Sequence, residues 1–224
     1  EYLHDIEVYN NKIYGAAIYS GYFYIIDVED KTNPQTILSH YTGLDGISTH
    51  DCAVTYDEQY LITADETLGG HLKIWDIRDY ENINLISQYL IHSEHSMHNV
   101  YIRPETNLVI MSYYKDGTRI LDISNPVNPI EVGYYDTSWG LSGLYDGNWG
   151  TYAYLPSGYI ISSDIETGLY VLKISALPTM EYSNDTNDFS LESGEFASAN
   201  ITIGNTGDFE SILNYSLSAS QCSN

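Results

Sequence analysis

Three histidines and a tryptophan recur at near-equal spacing: His4, His50, His98 and Trp149 lie 46, 48 and 51 residues apart. An acid or an amide follows each histidine directly, namely Asp5, Asp51 and Asn99. A second acidic set falls fifteen residues beyond His50 and Trp149, at Asp65 (with Glu66 next to it) and at Asp164. Imidazole and carboxylate donors together can ligate Zn, Mn or Fe, and carboxylate oxygens alone can ligate Ca. The same groups can exchange protons as general acid and base. A divalent metal is therefore the cofactor this set would accept, with His50 and His98 as its candidate ligands.

No other residue pattern carries chemistry. The run IHSEHSMH places His92, His95 and His98 three apart, but a strand alternates faces and cannot aim all three one way. The segment reads as a polar rim loop. No nucleophile elbow, phosphate-cradling glycine loop, HExxH or EF-hand loop occurs. Cys52 and Cys222 fall in different expected domains, which excludes a disulfide framework and a cysteine metal cluster. Cys52 sits in an apolar strand and reads as a buried, inert thiol. Asn184, Asn200 and Asn214 begin Asn-x-Ser/Thr sequons, which matter only where the source glycosylates.

The elements that must position these residues come from internal repetition. Stretches starting at His4, His50, His98 and Trp149 overlay as HDIEVYNNKIYGAAIYSGYFYIIDV, HDCAVTYDEQYLITADETLGGHLKIWDI, HNVYIRPETNLVIMSYYKDGTRILDI and WGTYAYLPSGYIISSDIETGLYVLKI. A period near 48 residues is that of a β-propeller blade. Each unit reads as a four-stranded meander. Strand A is expected at 6–9, 52–56, 100–103 and 152–155, and an apolar strand B at 13–18, 60–64, 108–112 and 159–162. Asn10-Asn11, Asp57-Glu58, Pro104-Glu105 and Pro156-Ser157-Gly158 supply the turns between them. Strand C follows a glycine-bearing bend (YFYIIDV, LKIWDI, TRILDI, LYVLKI). A polar link leads to strand D in three units, and the fourth has only a weak one at 180–182. Tyrosine, 23 of the 224 residues, suits the half-buried pleats of such sheets. Helical periodicity is sustained nowhere.

One such sheet cannot bury both faces alone, whereas radial stacking covers them and leaves short edges. The expected fold class is all-β: a propeller with four four-stranded blades visible over 1–177, followed by a partial β-sandwich over 178–224. Residues 1–3 read as the tail of a preceding strand D, so the blades are expected to be part of a larger ring. In an antiparallel meander the start of strand A lies beside the end of strand B. Histidines and carboxylates should then converge on one mouth, giving His4, Asp5, His50, Asp51, Asp65, Glu66, His98, Asn99, Trp149 and Asp164 as candidate ligand-binding residues. Three roles stay open for them: locking neighbouring blades in register, binding a ligand or metal, and catalysis. A bound metal together with solvent-facing His50 and His98 would favour an enzyme, and histidines held in bonds between blades would favour a binding module.

Composition narrows the partners. The formal charge is −23, so a nucleic-acid backbone or an anionic membrane surface would be repelled. No apolar run is long enough to cross a membrane as a helix, and no signal peptide is visible. HDIEVYNNKIYGAA, the run from Asp122 to Thr137 and GNWGTYAYLPSGYIISSDIETGLYVL resemble LVIVD-repeat proteins, and among these the choice-of-anchor B group of bacterial and archaeal surface propellers. The resemblance covers roughly residues 1–176. It implies a secreted or cell-surface location, further blades upstream and an anchoring element downstream, and it implies no activity. After Pro178, three short alternating runs resemble the opening strands of a bacterial immunoglobulin-like domain. The reading is a binding or scaffold module for a protein, glycan or small ligand at the propeller rim. The alternative is a metal-dependent enzyme using the His/Asp cluster.

Overall fold

The structure is a computed structural model that describes residues 2–43, 48–140, 143–174, 180–182 and 203–205. The chain divides into two compact units, 1–173 and 174–224. The first is all-β, with four antiparallel sheets arranged as a four-blade β-propeller and no helix among the described residues.

Blade 1 runs β1 (Asp5–Tyr9), β2 (Lys12–Ala17), β3 (Tyr22–Asp27) and β4 (Gln35–Tyr41). Blade 2 follows as β5 (Thr49–Val54), β6 (Tyr60–Asp65), β7 (Leu72–Asp76) and β8 (Asn84–Tyr89). Blade 3 is β9 (Val100–Ile102), β10 (Leu108–Tyr113), β11 (Gly117–Asp122) and β12 (Ile130–Tyr135). Blade 4 has three strands among the described residues, β13 (Asn148–Tyr152), β14 (Tyr159–Asp164) and β15 (Gly168–Lys173). Strands pair in sequence order within every blade, as a meander requires. In the second unit, β16 (Met180–Tyr182) pairs antiparallel with β17 (Ile203–Asn205). The strand D expected at 180–182 in the fourth unit is therefore not part of blade 4. The remainder of the expected sandwich segment lies outside the described residues.

The innermost strands β1, β5, β9 and β13 touch in succession. Where a strand is covered by blades on both sides it loses alternation: β5 and β10 are buried at every position. β1 keeps alternation, with Ile6 and Val8 exposed and Glu7 turned inward. Between blades 1 and 2 the core holds Tyr14, Phe23, Ile25, Val54, Leu61 and Trp75. Between blades 2 and 3 it holds Ile62, Leu72, Met97, Val109, Met111 and Leu121 among others. The seam between blades 3 and 4 carries hydroxyls instead: Ser112 Oγ donates to Thr151 Oγ1 (3.0 Å) and Thr118 Oγ1 to Ser162 Oγ (2.9 Å). Asn148 Nδ2 donates to Thr118 Oγ1 at 3.0 Å.

The turns between first and second strands follow their residue types. Asn10 and Asn11 both hold positive φ, 47° and 58°, the requirement of a two-residue type I′ hairpin. Glu58 (φ 55°) and Glu105 (φ 58°) adopt the same hand without being Asn or Gly. At each link from third to fourth strand, an aspartate caps its own turn. Asp27, Asp76 and Asp122 each accept the backbone N–H two residues on, at 2.8, 3.1 and 2.7 Å.

The first strands of units 2 and 4 begin earlier than expected, at Thr49 and Asn148 instead of 52 and 152. Both contain a β-bulge, between Thr49 and Asp51 and between Asn148 and Gly150. The bulge breaks the two-residue alternation that marks a strand in sequence, so the pattern reads as starting only after it.

Candidate functional site

The two bulges fall on repeat anchors. His50 and Trp149 are the extra residues, and a bulge re-aims its side chain out of the strand's ordinary alternation. His4 immediately precedes β1 and His98 stands two residues before β9, with the His4 N–H bonded to the Ala16 carbonyl and the His98 N–H to the Ser112 carbonyl. All four side chains then meet at one mouth of the propeller. They line a concavity of about 400 Å³ with Glu66 and Tyr101, and with Asp5 and Asn99 beneath. The glycine that delivers Trp149 is Gly147, at φ 107°, where a Cβ would lie 2.5 Å from the Tyr114 carbonyl oxygen. Any larger residue there would displace β13 from blade 3.

The rings stand in a row, each tilted against the next. His4 and His50 centroids are 4.3 Å apart, His50 and His98 4.1 Å, and His98 and Trp149 4.5 Å. His4 Nε2 and His50 Nε2 share a hydrogen bond of 2.9 Å that links blades 1 and 2. The Glu66 carboxylate faces both inner rings, with Oε2 3.7 Å from His50 Nε2 and Oε1 3.9 Å from His98 Nε2. Tyr114 Oη donates to Glu66 Oε1 at 2.5 Å and fixes the carboxylate. His50 and His98 are each only 3% exposed, whereas Trp149 is 51% exposed and forms the open wall.

Burial sets the charge of the site. Desolvation, then the like imidazoles of His98 and His4, push the His50 pKa down to about 3. Desolvation also lowers His98, against the pull of Glu66. Both rings are neutral at neutral pH and present lone pairs instead of positive charge.

Beneath the mouth the residues that follow the histidines join across the axis. Asn99 Nδ2 donates to Asp5 Oδ2 (2.9 Å) and to Asp51 Oδ2 (3.0 Å). Asp51 Oδ2 also accepts the Val100 N–H (2.9 Å), and Glu7 Oε2 accepts the Val54 N–H (2.6 Å). Each of these two carboxylates thus staples one first strand to the next blade's first strand. Burial, then the nearby charge of Asp5, raises the Asp51 pKa. Burial likewise raises Glu7, opposed by the Val54 N–H and the Tyr154 hydroxyl. Asp5, Glu7, Asp51 and Tyr154 border a second concavity, of about 340 Å³.

The candidate residues therefore separate into groups. The structure brings His4, His50, Glu66, His98 and Trp149 together at the mouth, and sets Asp5, Asp51 and Asn99 in the layer below. Asp65 and Asp164 line neither concavity. Asp65 is fully buried against Lys73 Nζ at 2.6 Å. Asp164 accepts Thr137 Oγ1 and Ser138 Oγ, each at 2.8 Å, together with the backbone N–H groups of Glu166 and Thr167. Sequence reasoning missed Tyr114. It stands just after the second strand of its unit, the place Glu66 takes in blade 2, and aligning the ends of the second strands would have found it.

The run from His92 to His98 is a loop between β8 and β9, and its histidines part company. His98 turns to the mouth. His92 Nδ1 and His95 Nδ1 lie 3.0 and 2.7 Å from the two oxygens of Asp116.

A model of the LVIVD repeat family matches residues 115–137. That segment is the third strand, link and fourth strand of blade 3. No curated protein matches the chain.

Proposed function

We propose that this chain is the binding module of a secreted or cell-surface protein of the choice-of-anchor B kind, and that it captures a glycan at the mouth. The carrying observation is the half-exposed Trp149 indole, set as one wall of a concavity whose floor offers neutral imidazoles and one oriented carboxylate. An indole face covers the apolar face of a sugar ring, while Glu66 and the imidazoles pair with hydroxyls. The acidic composition and the LVIVD match support an extracellular setting, and residues 178–224 would be the start of an immunoglobulin-like spacer. A metal-dependent enzyme would need the same imidazoles open to substrate. Their burial and the His4–His50 bond between blades favour recognition.

An array of neutral and acidic oligosaccharides tests the reading. The chain should bind a subset, and Trp149→Ala should lose at least tenfold in affinity while keeping its melting temperature. An empty array, or binding that Trp149→Ala leaves untouched, overturns it.

A further inference from the structure

We propose that the mouth binds one divalent transition metal, of the Zn or Co class, through His50, His98 and Glu66. This rests on the mouth being the recognition site, and it names the ion around which recognition is built.

One donor atom from each of His50, Glu66 and His98 lies within 4.8 Å of the others. Bonds of about 2.0–2.2 Å to a tetrahedral ion place ligand atoms about 3.4 Å apart. The observed separations of 3.7 Å (His50–Glu66) and 3.9 Å (His98–Glu66) lie a few tenths of an ångström above that figure. Small ring rotations suffice to close on an ion. Each ring also has a backbone hydrogen-bond partner, His98 for His50 and Trp149 for His98, which can take the ring N–H when the other nitrogen ligates. The Tyr114 hydroxyl on Glu66 is the outer support that holds a ligating carboxylate in place. Two neutral imidazoles and a carboxylate, in a chain of charge −23, form an electron-rich site that draws cations.

The second His/Asp group makes an instructive contrast. His92, His95 and Asp116 also gather within metal-binding reach, but the Arg119 guanidinium already stands 3.3 Å from Asp116 Oδ1. A resident cation balances that carboxylate. At the mouth no Lys or Arg among the described residues lines the concavity.

The test uses the untagged full chain, stripped with chelator and titrated with Zn²⁺, then with Co²⁺ for its ligand-field absorption. One equivalent should bind, with a tetrahedral cobalt spectrum and a raised melting temperature. Glu66→Gln and His98→Ala remove direct ligands and should each weaken binding by more than the roughly 10- to 100-fold that follows loss of an outer-shell partner, and His92→Ala should leave it unchanged. Glu66→Gln keeps shape and volume, so the outcome stands even if His98→Ala folds poorly. Absence of saturable binding, retention of full affinity in Glu66→Gln, or loss in His92→Ala overturns the proposal. Repeating the oligosaccharide array with chelator separates the two readings. Glycan binding that persists without metal removes the ion and keeps recognition, whereas an ion bound to a glycan-blind protein removes recognition and keeps the ion.

Discussion

Asp65 and Asp164 occupy the same place in their repeats and titrate in opposite directions. Burial pushes Asp65 up to about 6, and the single ammonium of Lys73 offsets only part of it. Burial also opposes ionisation of Asp164, but two backbone N–H groups and the hydroxyls of Thr137 and Ser138 outweigh it and hold the acid below its ordinary range. A raised acid stabilises the fold below its ordinary value, and that contribution is lost as pH rises through about 6. A lowered acid stabilises above its ordinary value and loses the contribution on acidification. Melting curves from about pH 3 to about pH 7 should therefore diverge. The advantage of wild type over Asp65→Asn shrinks as pH rises, and its advantage over Asp164→Asn grows. Parallel curves would refute both assignments. A second pair of matched residues separates backbone strain from use. Left-handed φ costs a residue with a Cβ about 1–2 kcal/mol. Glu58 spends that strain on bonds to Asn10 and Lys12 of the preceding blade, whereas no hydrogen bond of the Glu105 side chain is described. Glu105→Asn should raise the melting temperature and Glu58→Asn should lower it, as calorimetry would show. The convergence of His4, His50 and His98 was legible because a repeated position maps to one radius of a ring. Asp65 and Glu66 were both candidates, and that only Glu66 reaches the mouth was not legible, because it depends on which way the chain turns at the end of β6.

At the level of elements, the seams between blades differ in kind. Blades 1 to 3 are joined by apolar side chains, and blade 4 joins blade 3 through Ser112, Thr118, Asn148, Thr151 and Ser162. A hydrogen bond contributes about 1 kcal/mol net, while truncating a buried Met or Leu costs about 2–5 kcal/mol. Blade 4 should consequently open first. Native-state hydrogen exchange should show amides of β13–β15 exchanging at lower free energy than those of β5–β7 and β10. Thr118→Val should lower that opening energy further by about 1–3 kcal/mol, since it removes the bond to Ser162 and leaves Asn148 Nδ2 only Thr151 Oγ1 at 3.5 Å, while leaving protection of blade 2 unchanged. Equal protection across all four blades would contradict this. The second strands and turns of every unit could be read from sequence to within a residue or two, because β-branched and tyrosine runs end at Asn, Asp, Pro or Gly. The first strands of units 2 and 4 could not, since a bulge has no compositional mark of its own.

For the molecule as a whole, 31 acidic residues face 8 lysines and arginines. Most of that charge has no cation to pair with, and self-repulsion weakens the compact state until salt screens it. The melting temperature should rise between low salt and about 0.15 M salt, where the screening length falls to about 8 Å; a flat response would mean the acids are already compensated. The aspartate that caps its own turn in the first three blades has a further bearing on how the chain assembles. Asp27, Asp76 and Asp122 each close a bend without help from a neighbour, so three of the four repeats own a local seed from which a hairpin can zip. In the fourth, Lys173 holds that place and cannot accept a backbone proton. During refolding, pulse-labelled amides of β15 should accordingly gain protection only after blade 3 is formed, making that blade a template on which its successor condenses.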